Sequence, residues 1–230
     1  MKRSEINEFI QDAIDFIEGK GFYLPPFAHW KLADWQSKGE EIREIIDNQL
    51  GWGLTDFGTG NYKEYGLFMI TIRNGHPDNV KTGQGKTYCE KILLSDENQI
   101  TPLHTHWVKD EDIINRGGGN LVIQLYMANE DGSLSDEDIT ISLDGVTKTV
   151  KAGDTVTLKP GDSIYLPTGL YHKFWGEGGR VMVGEVSLVN DDTSDNRLYD
   201  PIDSWFPEIE EDVPPTYLLC SDYAKFTNLV

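Results

Sequence analysis

From residue 66 to residue 189 the chain is a succession of short segments, GLFMITIRN, KTYCEKILL, QITPLHTHW, NLVIQLYMA, DITISLDG, VTKTV, DTVTL, SIYLP, HKFWG and RVMVGEVSLV. Each is rich in β-branched or aromatic residues, which suit a pleated and half-buried surface, and each is set off by Gly, Asp, Asn or Pro. The LDGV step between ITIS and TKTV carries the Asp-Gly pair of a two-residue hairpin turn. Ten such segments with no helical apolar period between them predict a mainly β protein, a closed or double-sheet antiparallel barrel.

Helical periodicity is confined to the N-terminal quarter. In residues 4–18, Ile6, Phe9, Ile10, Ala13, Ile14 and Ile17 fall on one face, with Ser4 as the expected N-cap and Gly19 as the stop. A second helical region is expected over 28–49, broken near Lys38-Gly39. Both stripes read as packing faces for a sheet. At 230 residues, with 38% hydrophobic residues and no low-complexity tract, one folded domain is expected. Its parts would be a helical extension over 1–60, a barrel over 61–190, and a C-terminal segment over 191–230, carrying Trp205 and Phe206, wrapped on the barrel.

Net charge narrows the partners. A formal charge of -19 repels phosphate backbones and anionic lipids, which argues against nucleic-acid and membrane binding and favours a small neutral ligand. The N-terminus lacks a signal-peptide apolar core, and Cys89 and Cys220 are too few for a disulfide scaffold. A cytoplasmic protein is the expectation.

The chemistry is concentrated in two places. In His104-Thr105-His106, strand alternation puts both imidazoles on one side, and a hairpin of four intervening residues can return Glu111 beside His106. In Gly161-x5-Pro167-x-Gly169-x2-His172, a short strand and a turn deliver His172 from across a barrel. Three imidazoles and a carboxylate are a donor set for a divalent metal, leaving two cis positions of an octahedron for a carbonyl and its neighbouring hydroxyl. A metal there would polarise the carbonyl and stabilise an enediolate, which is the Lewis acid an aldose–ketose isomerisation needs.

These residues resemble the two cupin motifs. The first is matched at His104, His106, Glu111 and Gly118, with Asn98 in place of its leading Gly. The second is matched at Gly161, Pro167, Gly169 and His172, with Gly176 in place of its final Asn. The resemblance implies a jelly-roll barrel with N-terminal helices packed on it. The stretches ENQITPLHTHWVKDEDIINRGGGNLVIQLY and PTGLYHKFWGEGGRVMVGEVSLVNDDTSDNR, with the YCEKILL strand, are similar to the D-lyxose isomerase family over most of the chain. That implies interconversion of D-lyxose with D-xylulose, and of D-mannose with D-fructose, by a homodimer. It also implies Mn²⁺ as the favoured metal, with Zn²⁺, Co²⁺ or Fe²⁺ also compatible with the ligands.

Proton carriers must come from elsewhere. Lys91 is in phase with Cys89 and Leu93, and Glu185 interrupts the apolar strand VMVGEVSLV; facing inward, this pair would move the proton between C1 and C2, with burial raising the carboxyl pKa. Asp195 and Arg197 would clamp sugar hydroxyls, beside an acidic loop with Asp191 and Asp192. Trp107 and Trp175 flank ligands and would wall the pocket. The triple glycine 117–119 is expected to form a bulge or sharp turn. Rival readings are an Fe²⁺ dioxygenase on the same four ligands, a phosphosugar isomerase, and a non-catalytic sugar-binding cupin. The second would need basic residues converging on a phosphate, and only Lys86, Lys91 and Arg197 offer themselves.

Overall fold

The computed structural model describes residues 1–191, 194–201, 206–227 and 229, so that Asp192 and Trp205 lie outside the described residues. Helix α1 spans Arg3–Gly19 and buries Ile6, Ile10, Ala13, Ile14 and Ile17, the face predicted from their spacing. Its N-cap is Lys2 and not Ser4. Glu5 reaches back to the Lys2 amide, while the Ser4 hydroxyl donates to Asp212 instead. The second helical region is four short pieces: 3₁₀ turns at Pro26–His29 and Glu40–Ile42, helix α2 at Leu32–Gln36 and helix α3 at Arg43–Asp47.

Among the described residues, eleven antiparallel strands follow. They are β1 (Gly51–Thr55), β2 (Leu67–Arg73), β3 (Tyr88–Ser95), β4 (Thr101–His106), β5 (Glu111–Met127) and β6 (Ile139–Leu143). Then come β7 (Val146–Val150), β8 (Thr155–Leu158), β9 (Ser163–Leu166), β10 (Leu170–Leu188) and β11 (Asn196–Leu198). Strand β1 lies in a stretch whose sequence reads as helical extension, and helix α4 (Pro77–Thr82) in one read as loop between strands. The β6–β7 hairpin turns on Asp144 and Gly145 at φ 50° and 79°, the left-handed pair its Asp-Gly step requires.

The long strands β5 and β10 run beside each other through two layers. Their register shifts between Glu177 and Val181, opposite Gly118–Asn120, where the triple glycine forms the expected bulge. One layer joins the first half of β5 to the second half of β10, flanked by β3, β2 and β1 on one side and by β9, β6 and β7 on the other. The other layer joins the remaining halves, flanked by β4, β11 and β8. This is the jelly-roll arrangement, although the strand path runs from β1 to β7 without closing.

Leu93, Ile113, Leu121, Ile123, Leu158, Ile164, Phe174 and Val183 pack between the layers. Helix α1 covers the outer face through Trp52, Phe68, Ile70, Ile92 and Met182. Arg3, with no exposed surface, ties that helix to the C-terminal segment: it donates to Asp222 (2.8 Å) and to Glu211 (2.9 and 3.0 Å). Among the described residues, no helix is long and apolar enough to cross a membrane.

Candidate active site

Strand β4 projects His104 and His106 into the space between the layers, and β10 carries His172 directly opposite His104. One ring nitrogen from each of the three imidazoles falls within 4.8 Å of the others. Residues 107–110 turn the chain, and Glu111 opens β5 with its carboxylate 3.2 Å from Nε2 of His172 and 3.5 Å from Nε2 of His106.

Two ring orientations are fixed by the strands themselves. Nδ1 of His104 lies 2.8 Å from the Pro102 carbonyl and Nδ1 of His172 lies 3.0 Å from that of Leu170. A carbonyl only accepts, so each Nδ1 carries the proton and each Nε2 lone pair is free to bind a cation. Nε2 of His172 is buried without a properly aligned hydrogen bond, an orphan that a metal would satisfy.

Charge agrees with that fit. Burial, reinforced by His172 and His106, pushes the His104 pKa well below the ordinary imidazole value; burial and Lys109 push His106 down. Burial alone would raise the Glu111 pKa, but Lys109 and the imidazoles outweigh it and hold the carboxyl well below the usual range. Neutral imidazoles and an ionised carboxylate are what a divalent cation requires of its ligands.

The turns that carry the candidate ligands are held by two aspartates. The buried Asp195 carboxylate accepts the backbone amides of Trp107 (2.9 Å), Val108 (2.8 Å) and Lys109 (3.0 Å). Asp110 accepts the Thr168 amide (2.8 Å) and the Tyr165 hydroxyl (3.0 Å), tying this turn to the one that precedes His172. Asn98, which stands where the cupin motif has glycine, adopts φ 60°, a left-handed value that Asn tolerates better than most residues.

Lys91 and Glu185 are cross-strand partners on β3 and β10, both buried and facing the same interior. Lys91 donates to Asn190 Oδ1 (2.5 Å) and stands 3.7 Å from Glu185. The residue that sequence reasoning passed over is Lys109, only 3% exposed, whose ammonium lies 2.8 Å from Glu185 and 2.9 Å from Glu111. Burial lowers its pKa, but the two carboxylates more than reverse this and hold it above the ordinary lysine value. Its signal is faint: a lysine two positions before Glu111, inside the turn. Glu185 thus sits between two ammonium groups, not in the bare apolar setting expected from its strand.

A cavity of about 830 Å³ runs from the histidines towards α3 and His76. Lys91, Lys109, Glu111, Glu185, His104 and His106 line it, and Leu54, Leu67, Met69, Leu93 and Phe174 supply an apolar wall. Trp107, Trp175, Asp195 and Arg197 are not among its lining residues. Trp107 is 44% exposed, with the guanidinium of Arg197 over its ring at 5.5 Å, so the pair lies on the outside of the ligand turn. Of the four residues expected to hold or wall the sugar, none reaches the cavity in this arrangement.

Kinship supplies what geometry alone leaves open. Residues 1–223 match the family model described as D-lyxose isomerase. The D-lyxose/D-mannose isomerase of Serratia proteamaculans is 45% identical over 229 residues, covering 98% of this chain and 99% of that protein. The D-lyxose/D-mannose isomerase of Escherichia coli O157:H7 is 44% identical, covering 98% and 100%. Among solved structures, the L-ribose isomerase of Cellulomonas parahominis superposes with a TM-score of 0.61 over 91% of this chain and 98% of its own; at 14% identity this speaks for the fold alone. With a match of this extent and identity, the chain belongs to the D-lyxose isomerase family.

Proposed function

We propose that this cavity interconverts D-lyxose with D-xylulose and D-mannose with D-fructose, with His104, His106, Glu111 and His172 holding a divalent metal, Mn²⁺ by preference. The carrying observation is that His104, His106 and Glu111, with His172 grouped beside them, share one cavity with Lys91, Lys109 and Glu185, in a chain of this family. When bound, the metal supplies Lewis-acid polarisation of the sugar carbonyl.

The chain's own residues then divide the remaining work. Glu185 is the base that takes the proton from C2 of the aldose and returns it to C1 of the ketose. The ammonium of Lys109, paired with two carboxylates, stays charged and keeps the Glu185 oxygen in place. Lys91, held by Asn190, offers a donor to a sugar oxygen as the carbonyl and hydroxyl exchange roles. The apolar wall and the burial of these groups exclude water, which strengthens each electrostatic contact. Asp195, with its carboxylate spent on three amides, positions the ligand turn and does not touch the sugar. By family resemblance the working form is a homodimer, and the low cysteine count fits a cytoplasmic one.

The test is ketose formation from D-lyxose and D-mannose by chelator-stripped protein with and without added Mn²⁺. Metal-restored xylulose and fructose are expected. Absence of both ketoses at full metal occupancy would overturn the isomerase reading, and oxygen consumption with Fe²⁺ would replace it with a dioxygenase.

A further inference from the structure

Strands β4 and β10 pair with His172 opposite His104, yet their next partners are Phe174 and Thr101. Two steps along β10 therefore match three along β4, which is a bulge at Pro102-Leu103. In a regular strand Thr101 and His104, an odd number of residues apart, would point to opposite faces. The bulge turns Thr101 to the ligand side, and Thr101, His104 and Phe174 all line the one cavity.

Thr101 is only 2% exposed, and its Oγ1 has no hydrogen-bond partner among the described residues. A buried hydroxyl left unpaired costs free energy, so its retention in a cavity calls for a partner that arrives from outside. Of the cavity's charged groups, Lys109 is held by Glu111 and Glu185, and Lys91 by Asn190. Phe174, its cross-strand neighbour, and the cavity residues Leu67, Leu93 and Ile113 offer it no acceptor.

We propose that Thr101 is a substrate-binding residue, and that its hydroxyl takes a hydroxyl of the monosaccharide other than the two at the metal. A neutral polyol fits, since every carbon beyond the reacting pair bears a group able both to donate and to accept. The assignment rests on the isomerase reading and deepens it, because one buried hydroxyl in an apolar wall discriminates between sugars by which carbon presents its oxygen there.

The experiment compares wild type, Thr101→Val and Thr101→Ser as Mn²⁺-loaded proteins, with KM and kcat for D-lyxose and D-mannose, metal content and melting temperature. Valine matches threonine in size but has no hydroxyl. It is expected to raise KM about three- to tenfold for at least one sugar. Metal content should be unchanged and melting unchanged or higher, while serine stays near wild type. Thr101→Ala repeats the test should valine prevent folding. If the folded hydroxyl-free variant keeps KM and kcat within about twofold of wild type for both sugars, Thr101 does not contact substrate, and the isomerase reading stands. A wild type inactive on both sugars would overturn that reading and this assignment with it.

Discussion

Nζ of Lys109 lies 2.9 Å from Oε2 of Glu111, and both side chains are almost wholly buried. A cation in direct contact with a proposed metal ligand has two effects: it holds the Glu111 carboxyl low, in the ionised form a metal would need, and through its second bond to Glu185 it joins the proposed ligand set to the proposed base. Lys109→Met would strip both carboxylates of this partner. Breaking a buried ion pair from one side costs about 3–5 kcal/mol, so the metal-free variant should melt well below wild type. Added Mn²⁺ should recover part of the loss, since it supplies positive charge to Glu111. Turnover should still fall by about a hundredfold, because Glu185 loses the donor that orients it. Thermal melts with and without Mn²⁺, alongside kcat, check this; a kcat close to wild type would rule out the role given to Lys109.

Asp195 separates two accounts of one residue. Read from TSDNR, it is a sugar clamp; in the fold its carboxylate accepts three amides of the turn between His106 and Glu111. Removing a group that orients metal ligands typically costs about 10–100-fold in metal affinity. Asp195→Ala should therefore weaken Mn²⁺ binding by that order, with Asp195→Asn in between, since an amide oxygen accepts less strongly than a carboxylate. Calorimetric titration with Mn²⁺ decides it. Unchanged metal affinity with a raised sugar KM would return Asp195 to the clamp.

The grouping of the proposed ligands was legible because strand alternation and short turns are local. His104 and His106 need only a period of two, and Glu111 needs only a tight return; β4 and β5 meet both conditions. The N-terminal helix face was legible for the same reason, with its period of 3.6. What escaped is non-local. HKFWG and RVMVGEVSLV read as two strands because Glu177-Gly178-Gly179 resembles a turn, yet β10 passes straight through as a bulge held by β5. Thr101 escaped because the β4 bulge is visible only in the pairing with β10. Lys109 escaped because its partner Glu185 lies 76 positions away; Trp107 fails to reach the cavity because it sits on the outer side of a turn whose direction the sequence does not state, and Arg197, on β11, lies over its ring.

The same bulge makes a stability prediction. Gly118 has φ 105°, and a Cβ there would come within 2.1 Å of the Arg180 carbonyl oxygen, a backbone atom that cannot swing away. Gly118→Ala combines left-handed strain with a clash and should cost about 3 kcal/mol or more. Gly145, at φ 79° in the β6–β7 turn, has nothing within 4 Å of such a Cβ. Gly145→Ala should cost only about 1 kcal/mol, the conformational part alone. Urea unfolding of the two variants measures the difference, and equal costs would mean that the β5–β10 crossing can yield.

Arg3 makes part of the fold's stability depend on pH. Its hydrogen bond holds the Glu211 carboxyl down to about 2 from an ordinary 4.5, with burial opposing and Lys225 assisting. A carboxyl whose pKa is depressed by folding stabilises the native state above its unfolded value; that contribution fades as pH falls from about 4.5 through about 2, because the unfolded chain takes up the proton first. Arg3→Met removes the cause of the shift and also leaves buried Asp222 without its bidentate partner, for a cost of about 3–5 kcal/mol near neutrality. The gap between variant and wild type should therefore be widest at neutral pH and narrow below pH 4.5, as protonation takes from the wild type what the mutation has already removed. Urea unfolding at a series of pH values gives that gap directly. A gap that stayed constant into the acid range would mean that Arg3 acts through packing of its stem and not through its charge.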